Sequence, residues 1–424
     1  MILAITFILS GYVKAIDPLG TQYKIQDYLE ALSCSGIIAD WITLSLSVAL
    51  SALEFCIGVF ILLAIRRRLV SRIALSLMVV MTLITIWLVI ANPISDCGCF
   101  GDAIKLTNTQ SLLKNIILLL CAIALTLSPL RMWRFISKSN QWIVINYTII
   151  FIFASSLYCL YKLPLFDFRP YHIGMNIRQG MQIPQNAEQP KFKTTFLMKK
   201  NGITKEFSVD NYPDSTWQFV DSKTVQISKG YVPPIHDFCI ETRNGDDITD
   251  QVLNDTSYTF LLIAPHLEKA SDLNFGDIDQ IYEYAQTFHY PLYCLTASTD
   301  EHIKQWQNLT GAEYPFCRTD ETTLKTIIRS NPGLLLIKNG TILKKWSHND
   351  LPQKEDLQKP LPQSPLGQMQ TYSIPKKISI IFMWFVLPLL LLTIADRLWA
   401  WSKWIRFKKK KKQLYKEKST YINS

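Results

Sequence analysis

The first 171 residues of the chain contain no histidine, although they contain six of its nine cysteines. All six histidines lie from His172 to His348. A zinc site needs about four nitrogen or sulfur ligands. Cys34, Cys97 and Cys99, the cysteines outside the apolar segments of this region, are too few to supply them. We therefore expect no metal at these cysteines.

The N-terminus lacks the basic start and the small-residue cleavage site of a secretory signal peptide. We predict that Met1–Lys14 is a short first membrane span. Hydrophobic residues make up 49% of the chain, and they gather into segments of about 17–25 residues, long enough to cross a bilayer as helices. Few polar residues line these segments, which disfavours a transporter. The further predicted spans are Ile42–Ile65, Ile73–Ala91, Leu112–Leu127, Trp142–Tyr161 and Ile378–Leu398.

Acidic residues are nearly absent from the C-terminal tail. From Lys403 onward there are nine Lys or Arg and one acid, Glu417, so the tail holds most of the net charge of +10. A nucleic-acid interface would need these charges on a folded surface with base-reading or stacking partners. A lysine run beside a span instead indicates membrane topology and contact with anionic lipid.

Basic clusters also follow the second and fourth predicted spans, at Arg66-Arg67-Arg68 and from Arg131 to Lys138. With six crossings, all three clusters lie on one side, which the positive-inside rule makes the cytoplasm. Both termini are then cytoplasmic. The loops with Cys34 and Cys97/Cys99 and the long polar stretch before the sixth span share the opposite face.

The polar stretch after the fifth span has two patterns. Phe192–Ser228 alternates apolar and polar residues around Asn201-Gly202, which predicts a small β-rich piece. From Val232 onward, strands and helices alternate and predict a parallel α/β core closed by an antiparallel hairpin with its turn at Asn339-Gly340.

This order resembles a thioredoxin-like domain of the redoxin type. Ser330-Asn331-Pro332-Gly333 stands where that fold carries its cis-proline. The segment Pro265–Ser271 stands where it carries Cys-x-x-Cys, but contains no cysteine. We therefore expect the domain to lack the usual thioredoxin activity. Cys294 and Cys317 lie on predicted core strands, where buried free thiols are favoured over an atypical redox pair.

The stretch from Asp96 to Asp102 contains Cys97 and Cys99 between glycines and carboxylates, at the end of an apolar span. Disulfides persist outside the cytoplasm, and strained ones are labile and oxidising. One interpretation is redox exchange, in which Cys34 attacks Cys97 or Cys99 through a mixed disulfide. The other is a structural bridge from Cys34 to one of the pair.

Glu54 is the one acid within the second predicted span. An ionisable group inside a bilayer is costly and suggests function. It could pair with Lys14, or bind a quinone or a proton; the alternative is an interhelical hydrogen bond or ion pair that fixes the bundle. Cys56, Cys121 and Cys159 also lie in spans, where they are typical of small packing residues.

The segment Phe7–Lys14 with Asp17-Pro18 resembles the first-helix signature of DoxX-like membrane proteins. Cys97–Asp102, followed by Asn115, is similar to the MauE branch, the methylamine-utilisation membrane proteins. The resemblance implies a four-helix core in the bacterial inner membrane. DoxX relatives are linked to quinone-coupled electron transfer. MauE is linked to maturation of the disulfide-rich small subunit of methylamine dehydrogenase.

The predicted fold is an α-helical membrane bundle with an inserted α/β thioredoxin-like domain, preceded by a small β-rich piece. The divisions are a four-helix core (1–130), a fifth span (142–161), a linker and β-rich segment (162–231), the thioredoxin-like domain (232–360), a sixth span (378–398) and a basic tail (399–424). The arrangement is analogous to that of vitamin K epoxide reductase-like proteins, in which a four-helix core is fused to a thioredoxin domain.

The leading functional hypothesis is a thiol–disulfide or quinone-linked oxidoreductase that matures extracytoplasmic clients. Cys97 and Cys99 would pass electrons, Cys34 would be the shuttle, and Glu54 and Lys14 would bind a membrane quinone. The alternative is a non-catalytic membrane scaffold or assembly factor with structural cysteines. The expected partners are membrane lipids and a client protein, not nucleic acid.

Overall fold

The computed structural model describes residues 1–34, 36–94, 96–184, 187, 191–200, 203–208, 217–228, 230–369 and 373–422. Its N-terminal part is a bundle of apolar helices. A small antiparallel sheet and a larger mixed α/β domain follow, and a long C-terminal helix returns to the bundle. This is the predicted fold class.

Five helices in the described ranges are long and apolar enough to cross a membrane, and a bent pair passes the same test together. Together they overlap all six predicted spans. The bent pair is α1 (Ile2–Ile16) and α2 (Pro18–Ala31). The other spans are α3 (Asp40–Leu62), α4 (Arg67–Ala91), α5 (Asn108–Leu127), α6 (Gln141–Tyr161) and the C-terminal helix from Ile374.

The loop with Cys34 that we predicted between the first two spans is for the most part a helix, because residues 18–31 form α2. The chain bends by 97° between α1 and α2. Pro18 cannot donate a backbone hydrogen bond to continue α1, but it suits the first position of a new helix. Asp17 caps that helix by accepting from the Gly20 amide at 2.9 Å.

Helices α1 and α3 pack closely because glycines stand at their crossing. A Cβ atom on Gly11 would lie 2.4 Å from the Phe55 nitrogen, and one on Gly58 would lie 2.7 Å from the Ile8 nitrogen. Small residues allow the close backbone approach that stabilises helix pairs in lipid. This contact brings polar side chains of α1 and α3 together.

The last span begins with α12 (Ile374–Ile381), passes through a π-helical turn (Phe382–Val386) and continues as α13 (Leu387–Ile422). Helix α13 extends well past the predicted end of the span at Leu398 and into the lysine-rich tail. Asp396, which is buried, anchors it by accepting hydrogen bonds from Ser137 and Asn140 of the segment before α6.

The predicted β-rich piece is a three-stranded antiparallel sheet of β1 (Lys191–Lys200), β2 (Ile203–Ser208) and β3 (Gln218–Ser228), in the order β2-β1-β3. The Asn201-Gly202 turn lies outside the described residues. Lys200 pairs with Ile203 across the gap, which is the register of a tight hairpin.

The α/β domain is built on a six-stranded sheet of order β4-β7-β6-β5-β8-β9. Strands β5, β6 and β7 are parallel, and β8 and β9 close the sheet antiparallel, as predicted. Its strands are β4 (Glu241–Thr242), β5 (Tyr258–Ile263), β6 (Leu292–Thr296), β7 (Phe316–Arg318), β8 (Gly333–Lys338) and β9 (Thr341–Ser347). Its helices are α8 (Thr249–Asn254), α9 (Phe275–Thr287), α10 (Asp300–Thr310) and α11 (Glu321–Ile327).

Two local features of this domain match the thioredoxin-like expectation. The Asn331–Pro332 peptide bond is cis and lies directly before β8. Asn339 and Gly340 both have positive φ, 47° and 69°, as a type I′ hairpin turn requires. Apolar side chains cover both faces of the sheet, with one cluster on each face.

Part of the segment that we predicted as linker packs into this domain. Tyr171 and Ile177, the latter on α7 (Ile177–Met181), are buried in the cluster on one face of the sheet. Asp167 accepts from Lys345 Nζ at 2.9 Å and from Arg169 Nε at 2.8 Å. The chain leaving α6 is therefore fixed to β9 by a buried ion cluster.

Candidate functional site

The candidate site lies in the loop between α4 and α5, where Cys97 and Cys99 form a disulfide. Asp96 bridges to Thr107, which caps α5, so the loop is held against the start of that helix. The Gly98 amide donates to Asp96 Oδ1 at 2.9 Å. Gly98 and Gly101 have positive φ, 61° and 53°, so the tight turn suits glycine at both positions.

The backbone on both sides of the disulfide is fixed by side chains from other helices. The Tyr28 hydroxyl on α2 donates to the Cys97 carbonyl at 3.0 Å. Ser10 Oγ on α1 lies 2.7 Å from the Cys99 carbonyl oxygen. On α5, Ser111 Oγ lies 3.3 Å from Cys97 Sγ. Three helices therefore hold this loop in one position.

Glu54 and Lys14, predicted as possible partners, form a buried ion pair directly beneath the loop. Lys14 Nζ lies 2.7 Å from Glu54 Oε1 and 2.9 Å from Oε2. Glu54 is 2% exposed, so its charge faces the bundle interior. Ser10 Oγ lies 2.8 Å from Glu54 Oε2 and thereby connects the ion pair to the Cys99 carbonyl.

Cys34 carries a free thiol in the loop after α2, where its Sγ donates to the Leu32 carbonyl at 3.5 Å. The structure therefore pairs Cys97 with Cys99 and not with Cys34. Of the remaining cysteines, Cys294 and Cys317 are buried and free, as expected. Burial raises the pKa of Cys317 to about 11, so that thiol is protonated and unreactive at neutral pH.

The thioredoxin-like domain docks on this site through Arg329, three residues before the cis-proline. Arg329 Nε lies 3.0 Å from Asp17 Oδ1, and Nη2 lies 3.1 Å from Asp102 Oδ2. The guanidinium also lies over the Tyr23 ring, 5.2 Å from its centroid. Burial opposes the charge of Arg329, but Asp17 and Asp102 outweigh it and raise its pKa.

The segment that replaces Cys-x-x-Cys lies beside the cis-proline segment and carries charge in place of thiols. His266 is held between Glu268, at 3.1 Å from Nδ1, and Glu321, at 2.9 Å from Nε2. Asn331 Nδ2 donates to the His266 carbonyl at 2.8 Å. Lys269, in the same segment as His266, forms an ion pair with Asp40 at the start of α3, with Nζ 2.8 Å from Oδ2.

A cleft of about 650 Å³ separates the helical bundle from the docked domain. Asp96, Gly101 and Asp102, on either side of the disulfide, form part of its wall. Phe166 and Lys325 line it from the other side. The cleft is open to solvent and mixed in polarity, and it lies next to the Cys97–Cys99 loop.

Sequence reasoning missed the residues that hold this site together: Ser10, Tyr28, Ser111 and Arg329. Ser10 had a signal, because it stands four residues before Lys14 and so shares its helix face. Ser111 had a weaker one. The buried positions of α5 are Asn108, Ser111, Asn115, Leu118 and Ala122, a helical stripe with polar residues at the end next to the cysteines.

Comparison with known proteins gives matches to parts of the chain. A search of curated proteins finds no match. Residues 192–229 match a family described as a domain of unknown function (DUF8463). A solved solution structure described as "a putative protein disulfide isomerase from Bacteroides thetaiotaomicron" is 18% identical, with 27% of this chain and 76% of that chain covered and a TM-score of 0.22.

The overlap of the two structures at this TM-score is small, and the α/β domain is characterised by its own strand order and by the position of its cis-proline. The family match of the membrane part is more informative, because it covers α1 to α5 and the whole Cys97–Cys99 loop. Residues 1–128 match the model of methylamine utilisation protein MauE, and this multi-pass membrane portion of the chain is MauE-like.

Proposed function

We propose that the protein is a membrane thiol–disulfide oxidoreductase whose Cys97–Cys99 disulfide oxidises the thiols of a client protein. The observation that carries this proposal is the disulfide itself. It joins cysteines two residues apart, so it closes too small a ring to tie distant parts of the fold together. A disulfide that contributes little to the stability of the fold is better suited to thiol–disulfide exchange than to a structural role.

The electron balance of this function needs an acceptor. Oxidation of two client thiols to a disulfide transfers two electrons to the pair and leaves Cys97 and Cys99 reduced. Re-forming their bond gives up two electrons and two protons, which convert a quinone to its hydroquinone. We propose a membrane quinone as that acceptor, with Glu54 and Lys14 next to it as proton-exchanging groups. Support comes from their burial beneath the loop and the contact through Ser10.

We further propose the bacterial inner membrane as the location, with the thioredoxin-like domain and the cysteine loops in the periplasm and both termini in the cytoplasm. The three basic clusters support this orientation. In this arrangement the thioredoxin-like domain positions the client in the cleft above the disulfide, and Cys34 exchanges with the pair from the neighbouring loop. Maturation of a disulfide-rich client, as in methylamine utilisation, fits this chemistry.

The test is thiol trapping in intact membranes from normal and quinone-depleted cells. Alkylation reports the redox state of Cys34, Cys97 and Cys99 separately. We expect Cys97 and Cys99 to be mainly oxidised in normal cells and to become reduced when quinone is withdrawn. Cys121→Ser, which removes a free thiol within α5, should behave as the wild type. A pair that stays oxidised, or stays reduced, in both cell types would instead favour the scaffold.

A further inference from the structure

The two sulfurs of the Cys97–Cys99 disulfide have different surroundings. Ser111 Oγ lies 3.3 Å from Cys97 Sγ. A sulfur in a disulfide has no proton, so the Ser111 hydroxyl is the donor. Ser111 is fully buried, and among the described residues no side chain donates a hydrogen bond to Cys99 Sγ.

From this asymmetry we infer that Cys99 is the sulfur attacked by an incoming thiolate, that Cys97 is the leaving group, and that Ser111 is a catalytic hydroxyl that stabilises it. The inference rests on the proposed function. The client thiolate forms a bond to Cys99 Sγ, the Cys97–Cys99 bond breaks, and its electron pair stays on Cys97 Sγ. A second client thiolate then attacks the client sulfur of the mixed disulfide and expels Cys99 as a thiolate.

Leaving-group stability is what decides between the two sulfurs. Thiol–disulfide exchange is faster when the departing thiol has the lower pKa. A hydrogen bond to a thiolate lowers that pKa because it favours the charged form. The start of α5 adds to the same effect, since the Asp96–Thr107 bridge holds the loop against that helix end and thiolates are stabilised at helix N-termini.

The other charged groups around the loop are the same in the wild type and in the Ser111 variants. Lys24 and Asp96 lie 3.3 Å apart, Lys114 lies over the Phe100 ring at 4.7 Å, and Lys14 and Glu54 are paired. None of them is altered by a change at Ser111. Ser111→Ala therefore removes one donor, and Ser111→Thr retains the hydroxyl as a matched control.

The first experiment maps the attacked sulfur in the wild-type full chain, purified in detergent with its disulfide intact. It is mixed with substoichiometric glutathione, quenched in acid within seconds, alkylated and analysed by mass spectrometry. We expect glutathione on Cys99 and the alkyl group on Cys97. Glutathione mainly on Cys97 would overturn the inference and leave the proposed function standing. No reaction at either sulfur would instead remove the proposed function.

The second experiment measures the role of Ser111. Hydrogen bonds to charged groups are strong enough that we expect Ser111→Ala to slow disulfide opening by about tenfold. Ser111→Thr should restore most of the rate. In a Cys99→Ser background, the pH dependence of alkylation should show the pKa of Cys97 rising by about one unit with Ser111→Ala. In a Cys97→Ser background, Cys99 should be unaffected. Equal effects on both thiols would contradict the assignment.

Discussion

Arg329 offers the sharpest test of how the thioredoxin-like domain is held over the disulfide. Its side chain is 7% exposed and contacts both Asp17 and Asp102. Arg329→Met keeps most of the apolar volume but leaves two carboxylates facing each other without a cation. We expect the domain to undock from the Cys97–Cys99 loop while it remains folded.

The free energy of docking that Arg329→Met removes can be estimated from the burial of the Arg329 side chain. Breaking a buried ion pair by removing one partner costs about 3–5 kcal/mol. Asp17 and Asp102 have side chains that are 20% and 33% exposed, so water partly solvates them once Arg329 is gone. We therefore expect the docking free energy to fall by about 2–3 kcal/mol, at or below the lower end of that range, which corresponds to a 30- to 150-fold shift in the docking equilibrium.

The assay is amide hydrogen exchange of peptides that cover residues 96–103 in the full chain. The Gly101 and Ala103 amides donate to the Gly98 and Phe100 carbonyls within this loop, and we expect docking to limit the opening of these hydrogen bonds. Arg329→Met should raise their exchange rate by more than tenfold. Lys269→Met is the matched control, because the Lys269–Asp40 pair is more than half exposed and such pairs contribute little.

A triple variant separates the effect of leaving Asp17 and Asp102 without a cation from the effect of losing the Arg329 contacts themselves. Adding Asp17→Asn and Asp102→Asn to Arg329→Met removes both carboxylate charges, and we expect it to recover much of the protection. If Arg329→Met and Lys269→Met change exchange of the loop equally, the docking does not depend on Arg329. The reasoning from burial would then be refuted.

Three further predictions concern the rest of the fold. Burial would raise the pKa of Asp167, but Lys345 and Arg169 lower it well below its usual value. The ionised Asp167 therefore stabilises the fold near neutral pH, and this contribution is lost as the pH falls below about 4. Asp167→Asn should accordingly weaken the fall of the melting temperature with decreasing pH, measured from pH 7 to pH 3. Gly11→Ala should sharply reduce the yield of monodisperse protein, because its Cβ would meet the Phe55 backbone, whereas Gly276→Ala, with open space around it, should not. Glu54→Gln should lower the melting temperature of the purified chain, since it leaves the Lys14 charge buried without a counterion, and adding Lys14→Met should restore part of the loss.

Much of the fold followed from pattern alone. The apolar runs predicted the five helices that are each long and apolar enough to cross a membrane, because a segment that crosses lipid must be apolar along its whole length, and the predicted first span lies on α1 of the bent pair. The alternation of strands and helices predicted the parallel core of the α/β domain and the antiparallel hairpin that closes it, and Asn339-Gly340 predicted the turn of that hairpin. Helix α2 was missed because its composition is polar, although Asp17-Pro18 is a helix-start signal.

The candidate site was only partly predictable. The two cysteines and the Lys14–Glu54 pair stood out because such residues are rare in or beside spans. Arg329 did not, because an arginine after a short helix has no local signature. Its partner Asp17 lies 312 residues away in the chain, and only the docked arrangement brings them together.

The position of Arg329 also bears on what a domain without Cys-x-x-Cys contributes next to this membrane core. The two segments that flank the reactive position of a thioredoxin-like fold are the loop at 265–271 and the cis-proline segment. Here they lie side by side and face the bundle, through Lys269 to Asp40 and through Arg329 to Asp17 and Asp102. The loop at 265–271 has no thiol that could react with a disulfide, and its His266 lies between the carboxylates of Glu268 and Glu321. The same edge is instead in contact with the loop that does carry a disulfide. In this chain that edge of the domain is therefore bound to the membrane core, and the proposed exchange at Cys97–Cys99 would depend on access through the cleft between them.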